Sequence, residues 1–175
     1  MTACPHEEAN QHANSPGVVA DGETICRGAY DPVHFNKSGL KMAFIRPAHL
    51  LAGELSVWRC DRDPKFGLQG AIEKLIEDKA PGQTLAKIFG AKVERVRKIA
   101  IETEPDKPGI RAFCVVDDCA TSEAGDWHSE HAVIALAKHD NFAWEADGDH
   151  FTMAKEGLLA VFKQTLLWNA ASVRP

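Results

Sequence analysis

Glu23-Thr24-Ile25-Cys26-Arg27-Gly28-Ala29-Tyr30 opens a stretch that runs on to Leu55-Ser56-Val57-Trp58-Arg59 and carries the oddest polar placements in the chain. In an extended strand successive side chains point to opposite faces. Ile25, Arg27 and Ala29 therefore share one face of residues 24–30, and Thr24, Cys26 and Tyr30 share the other. Neither face is cleanly polar, which predicts a strand covered on both sides. Asp31-Pro32 ends it, because proline cannot donate to a ladder. Residues 40–46 read as a second strand, with Leu40, Met42 and Phe44 on one face and Pro47 as the stop. Residues 54–60 read as a third, with Leu55, Val57 and Arg59 on one face and Ser56, Trp58 and Cys60 on the other. The short connections predict antiparallel neighbours.

Working outward, residues 67–79 read as a helix, since Leu68, Ala71, Ile72, Leu75 and Ile76 recur at helical spacing. Residues 84–89 read as a short helix closed by Gly90, and residues 93–103 as a strand. Residues 110–116 form the most apolar strand and the expected centre of the sheet. Residues 129–138 suit either a helix capped by Ser129 or a buried strand; the alanines favour the helix. Residues 152–170 give the clearest helix, with Leu158, Phe162 and Leu166 stacked at four-residue intervals. Residues 1–22 read as a flexible tail, and residues 23–175 as one globular domain. The expected fold is α/β or α+β: a single mixed, partly antiparallel sheet of about five strands with a long C-terminal helix packed on it.

A chain of 175 residues with 45% hydrophobic and 26% charged residues is long enough for a sizeable core. Its formal charge of -5 gives no general reason to expect a nucleic-acid partner. The basic cluster Lys92, Arg95, Arg97 and Lys98 has no interleaved aromatics for base stacking. No apolar run is long enough to span a membrane. Five cysteines, an odd number without regular spacing, and an N-terminus without a signal-peptide pattern predict free or metal-bound thiols and a cytoplasmic location.

Three groups of side chains carry candidate chemistry. In the first, Arg27 and Arg59 lie in phase with apolar neighbours. A guanidinium entering the interior needs a partner, because an unpaired buried charge is costly. That partner is an internal carboxylate or a bound anion gripped by two parallel hydrogen bonds. Arg27 and Arg59 are thus the ligand-binding candidates, and His34, Ser56 and His131 the catalytic ones. The second group is Cys114, Cys119, His128 and His131, four soft ligands whose spacing departs from the usual zinc patterns. Zinc is the alternative to an expectation of no cofactor. The third is the acidic loop of Asp117, Asp118, Glu123, Asp126 and Glu130, which can hold His131 as a general base or bind a divalent cation.

The pieces Ile25-Cys26-Arg27-Gly28, His34-Phe35, Gly39-Leu40, Ala43-Phe44 and Leu55-Ser56-Val57-Trp58-Arg59, with His131-Ala132, resemble a family of uncharacterised bacterial proteins sharing an R-G, H, A-F, L-S-V pattern. The family has no assigned activity, so the resemblance implies no catalytic residue. A fainter likeness to ADP-ribosyltransferase folds rests on an Arg-bearing strand preceding a Ser-bearing one, without their Glu-x-Glu. Two functions are expected. One is an accessory protein that binds a protein partner, with Trp127 and Trp144 in recognition loops. The other is an enzyme handling a nucleotide-type or other anionic small molecule in an Arg/His/Ser-lined cleft.

Overall fold

The computed structural model describes Cys4, Glu7 and residues 17–118, 120–121 and 127–173. Six strands form one sheet: β1 (Thr24–Asp31), β2 (Leu55–Arg59), β3 (Thr84–Lys92), β4 (Phe113–Asp117), β5 (His131–Leu136) and β6 (Thr165–Asn169). Their spatial order is β6-β3-β1-β2-β5-β4, and every pairing is antiparallel. The described helices are α1 (Pro47–Ala52), α2 (Gly67–Glu77), α3 (Val93–Arg97) and α4 (Asp149–Lys163). The expected α/β architecture holds, including the C-terminal helix on the sheet.

The two faces of the sheet bury different residues. Ile25 and Ala29 of β1, Leu55 and Val57 of β2 and Phe89 of β3 pack with Phe151, Leu158 and Phe162 of α4. On the opposite face Cys26, Trp58 and Ile88 meet Ala71 and Leu75 of α2. β1 is therefore covered on both sides, as its alternation predicted.

Several local readings are corrected by tertiary contacts. Residues 84–89 belong to a strand, not a helix. Ile88 and Phe89 are buried on opposite faces, which a two-sided strand demands and a surface helix does not. Gly90 is no helix cap: it pairs with both Cys26 and Thr165. A Cβ there would lie 2.6 Å from Leu167 Cδ1, so glycine permits the close approach of β6. Residues 93–97 are helical, with Val93 and Val96 turned inward. The clearest helix stops at Lys163, and Thr165–Asn169 instead pairs with the open edge of β3. Residues 131–136 form a strand laddered on both sides. The apolar strand β4 lies at the sheet edge rather than its centre. The second expected strand is reduced to a two-residue pairing at Gly39–Leu40 and a 3-10 turn at Met42–Phe44.

The N-terminal segment is not wholly a tail. Cys4 is bonded to Cys114 of β4. The buried Glu7 carboxylate accepts from Arg97 Nε at 3.0 Å, from the Val115 backbone N–H at 2.7 Å and from Arg111. Cys26 is bonded to Cys60. Four cysteines are thus paired, against the expectation of free or metal-bound thiols; Cys119 lies outside the described residues.

Candidate functional site

The ladder between β1 and β2 is short: Ile25 opposes Arg59 and Cys26 opposes Trp58. Beyond Cys26 the two strands part, and Arg27 fills the gap. Its Nη1 donates to the Ser56 carbonyl and its Nε to the Phe44 carbonyl at 3.1 Å. The guanidinium also lies 5.6 Å from the centre of the Phe44 ring. Among the described residues no carboxylate pairs with it. Burial, then the neighbouring charge of Arg46, lowers its pKa to about 10, so it stays cationic at neutral pH.

His34, 2% exposed, stands beside it. The Tyr30 backbone N–H donates to His34 Nδ1 at 3.1 Å, which places the proton of the neutral ring on Nε2. That Nε2 is buried and has no partner among the described residues. Burial first, then the charges of Arg27, Arg46 and Lys41, pushes the ring pKa down to about 4. His34 is therefore a neutral donor with nothing to donate to, a costly arrangement for a buried group.

Arg27, His34, Arg46, Ser56, Tyr30 and His49 line a cavity of about 220 Å³. Asp78, at the end of α2, supplies a carboxylate to the same lining. Larger cavities of about 410 and 500 Å³ contain none of these cationic or hydroxyl groups. Chemistry rather than volume singles out the smaller one.

Ser56 connects this cavity to a second group. The β2–β5 register sets His131 opposite Trp58 and Val133 opposite Ser56, so Ser56 and His131 are diagonal neighbours on one face. Ser56 Oγ lies 2.7 Å from His131 Nε2. His131 Nδ1 lies 2.9 Å from the Asp118 carbonyl oxygen and 3.1 Å from Asp118 Oδ2. A carbonyl can only accept, so Nδ1 carries the proton and Nε2 is left to accept from the Ser56 hydroxyl. The hydrogen bond from His131, helped by its charge when protonated, holds the Asp118 carboxyl below its usual range.

Arg59 lies elsewhere. Its Nε and Nη2 donate to the two Glu23 carboxylate oxygens at 2.7 Å, and Nη1 donates to Asp117 Oδ1 at 2.9 Å and the Gly17 carbonyl at 3.1 Å. The two arginines thus took different partners: carboxylates for Arg59, carbonyls for Arg27. The proposed zinc set does not assemble among the described residues, because the Cys114 sulfur is bonded to Cys4. His128 and His131 instead stand edge-on to Trp58, at 5.7 and 5.2 Å between ring centres. Of the acidic loop, Glu123 and Asp126 lie outside the described residues. Arg46 and His49 were missed from sequence because residues 40–46 read as a strand rather than a turn leading into α1. Comparison with protein-family models, curated proteins and solved structures finds no match to this chain.

His34 makes stability pH-dependent. The unfolded chain takes up this proton near pH 6.5, while the folded protein resists until about 4. Between these values the unfolded state binds more protons, so stability is complete above the window and falls as pH falls through it. After discounting for solvent near the cavity, the loss is about 2 kcal/mol. Urea unfolding at pH 7.5 and 4.5 should show a smaller acid loss, by about that amount, in His34→Phe than in the parent. Equal acid losses in both would refute the assignment.

Proposed function

We propose that the protein binds a small molecule bearing a carboxylate or phosphate in the cleft where β1 and β2 separate. The observation carrying this reading is that Arg27 keeps its charge among carbonyls alone, beside the unpartnered N–H of His34. A bound anion would give Arg27 the charge partner it lacks among these carbonyls. The exposed Arg46 adds a second cation at the cavity, and Asp78 favours one orientation of the ligand. The volume is below the ~300–1,000 Å³ of drug-sized pockets, which suits a small metabolite. The partner-binding alternative has less support: Trp144 donates its indole N–H to the Ala137 carbonyl at 2.8 Å and stands edge-on to Phe142. The side chain of Trp127 lies outside the described residues.

Thermal shift and calorimetry with inorganic phosphate and succinate test the proposal, because a ligand that binds only the folded state raises Tm. Charge-assisted hydrogen bonds contribute about 1.5–3 kcal/mol. Arg27→Met should accordingly weaken binding ~10–100-fold, and Arg46→Met by less. Neither anion raising Tm, or unchanged affinity in both variants, would reject the reading. As to location, no described helix is long and apolar enough to cross a membrane. The two disulfides favour an oxidising compartment over the cytoplasm that the cysteine count suggested.

A further inference from the structure

We propose that Ser56 is a nucleophile, with His131 as its base, that hydrolyses a carboxylic ester whose acyl part carries the anionic group received by the cleft. This rests on the anion-binding reading above and adds a reaction to it.

Three observations converge. The Asp118 carbonyl fixes the His131 proton on Nδ1, so Nε2 presents a lone pair to Ser56 Oγ at 2.7 Å. The Asp118 carboxylate, 3.1 Å from Nδ1, would stabilise the imidazolium that forms when the proton moves. Ser56 also lines the cavity containing Arg27 and Arg46, and its own carbonyl accepts from Arg27. A hydroxyl, an oriented base and an anion-receiving wall thus meet at one residue, the arrangement that activates a weak nucleophile.

The reaction balances with water as the only co-reactant. The Ser56 Oγ–H proton passes to His131 Nε2 as the Oγ–C bond forms at the ester carbonyl. As that bond forms, the carbonyl electron pair moves to its oxygen and gives a tetrahedral oxyanion. The ester C–O bond breaks, and the leaving alkoxide takes the proton from His131. Water then attacks the acyl-serine, giving its proton to His131, which returns it to Ser56 Oγ as the acid leaves. Asp118 is a positioning residue.

The probes are p-nitrophenyl hemisuccinate, p-nitrophenyl butyrate as its uncharged counterpart, and diisopropyl fluorophosphate, used on the full chain under non-reducing conditions. The anionic ester should be cleaved at least ~10-fold faster than the neutral one, matching the affinity expected from one charge-assisted contact. Ser56→Ala should bring the rate to background while still binding succinate. His131→Gln should lower it ~10²–10⁴-fold, the usual share of general-base catalysis. Mass spectrometry should find the diisopropylphosphoryl adduct, formed with loss of fluoride, on the Ser56 peptide of the parent and not of His131→Gln. Succinate binding without ester cleavage or Ser56 labelling would overturn the nucleophile and leave the anion site standing. Labelling of Ser56 with equal cleavage of both esters and no succinate binding would overturn the anionic substrate class and the binding reading with it.

Discussion

Arg59→Met should cost about 3–5 kcal/mol of folding stability, the range for removing one partner from a buried ion pair. Arg59 is 1% exposed, and its carboxylate partners Glu23 and Asp117 are 14% and 2% exposed. Taking away the guanidinium removes the cation shared by the buried Asp117 and the half-buried Glu23. Arg59 also joins four segments: β2, the approach to β1 at Glu23, the end of β4 at Asp117 and the chain at Gly17. Arg59→Lys keeps the charge but loses the two-pronged grip on Glu23, so its loss should be intermediate. The double variant Arg59→Met/Asp117→Asn should be less destabilised than the sum of its singles, by about 0.5–3 kcal/mol, because the two changes remove opposite ends of the same 2.9 Å contact. Urea denaturation of the four proteins measures all of this. A loss below about 1 kcal/mol for Arg59→Met would show that solvent reaches the carboxylates. Anion affinity in the folded Arg59→Lys protein should match the parent, separating this structural arginine from Arg27.

The contrast between these arginines marks how far the sequence can be read. Both stand in phase with apolar residues, and that alternation correctly places both side chains inward. It cannot say what each one meets, because the partners are set by register. Arg59 sits where β1 and β2 are paired and Glu23 lies alongside. Arg27 sits just beyond the last pair, where the strands diverge toward the Met42–Phe44 turn. A single pairing step separates an ion-paired core residue from the wall of a cleft.

The Ser56–His131 contact shows the same limit. Both residues, and the acidic loop containing Asp118, stand out in the sequence by chemistry. Their contact spans 75 positions and exists only if residues 131–136 form a strand in register with β2. A run such as Ala132-Val133-Ile134-Ala135 carries no periodicity, so alanine content tilts it toward helix and hides the pair. Residues 84–92 fail for the same reason: buried on both faces, they lack the alternation that betrays a half-exposed strand. The elements with one wet face, α2 and the start of α4, were legible. The six-stranded core, covered on both sides over much of its area, was legible mainly in class.

Breaking the disulfides should have the second large effect on stability. Cys26–Cys60 closes a separation of 34 residues and Cys4–Cys114 one of 110. Loop-closure entropy alone assigns about 4 and about 5 kcal/mol to cross-links of these lengths, within a measured range of ~0–5. Alanine at both members of either pair should therefore cost about 2–5 kcal/mol. Losing both pairs would remove much of the ~5–15 kcal/mol expected of a whole domain, so the reduced protein should unfold at far lower urea. Thiol alkylation with mass analysis before and after reduction checks the pairing directly; alkylation of all five cysteines in the unreduced, denatured protein would refute both bonds. Function should separate the two bonds. Cys26 precedes Arg27 and is the last β1 residue paired with β2, and its bond to Cys60 ties it to the chain just after that strand. Cys4–Cys114 tethers the chain start to the far edge of the sheet. Losing the first should let the cleft widen and weaken anion binding, while losing the second should leave affinity unchanged in whatever fraction stays folded. Equal effects on affinity would mean that the cleft is held by the sheet alone.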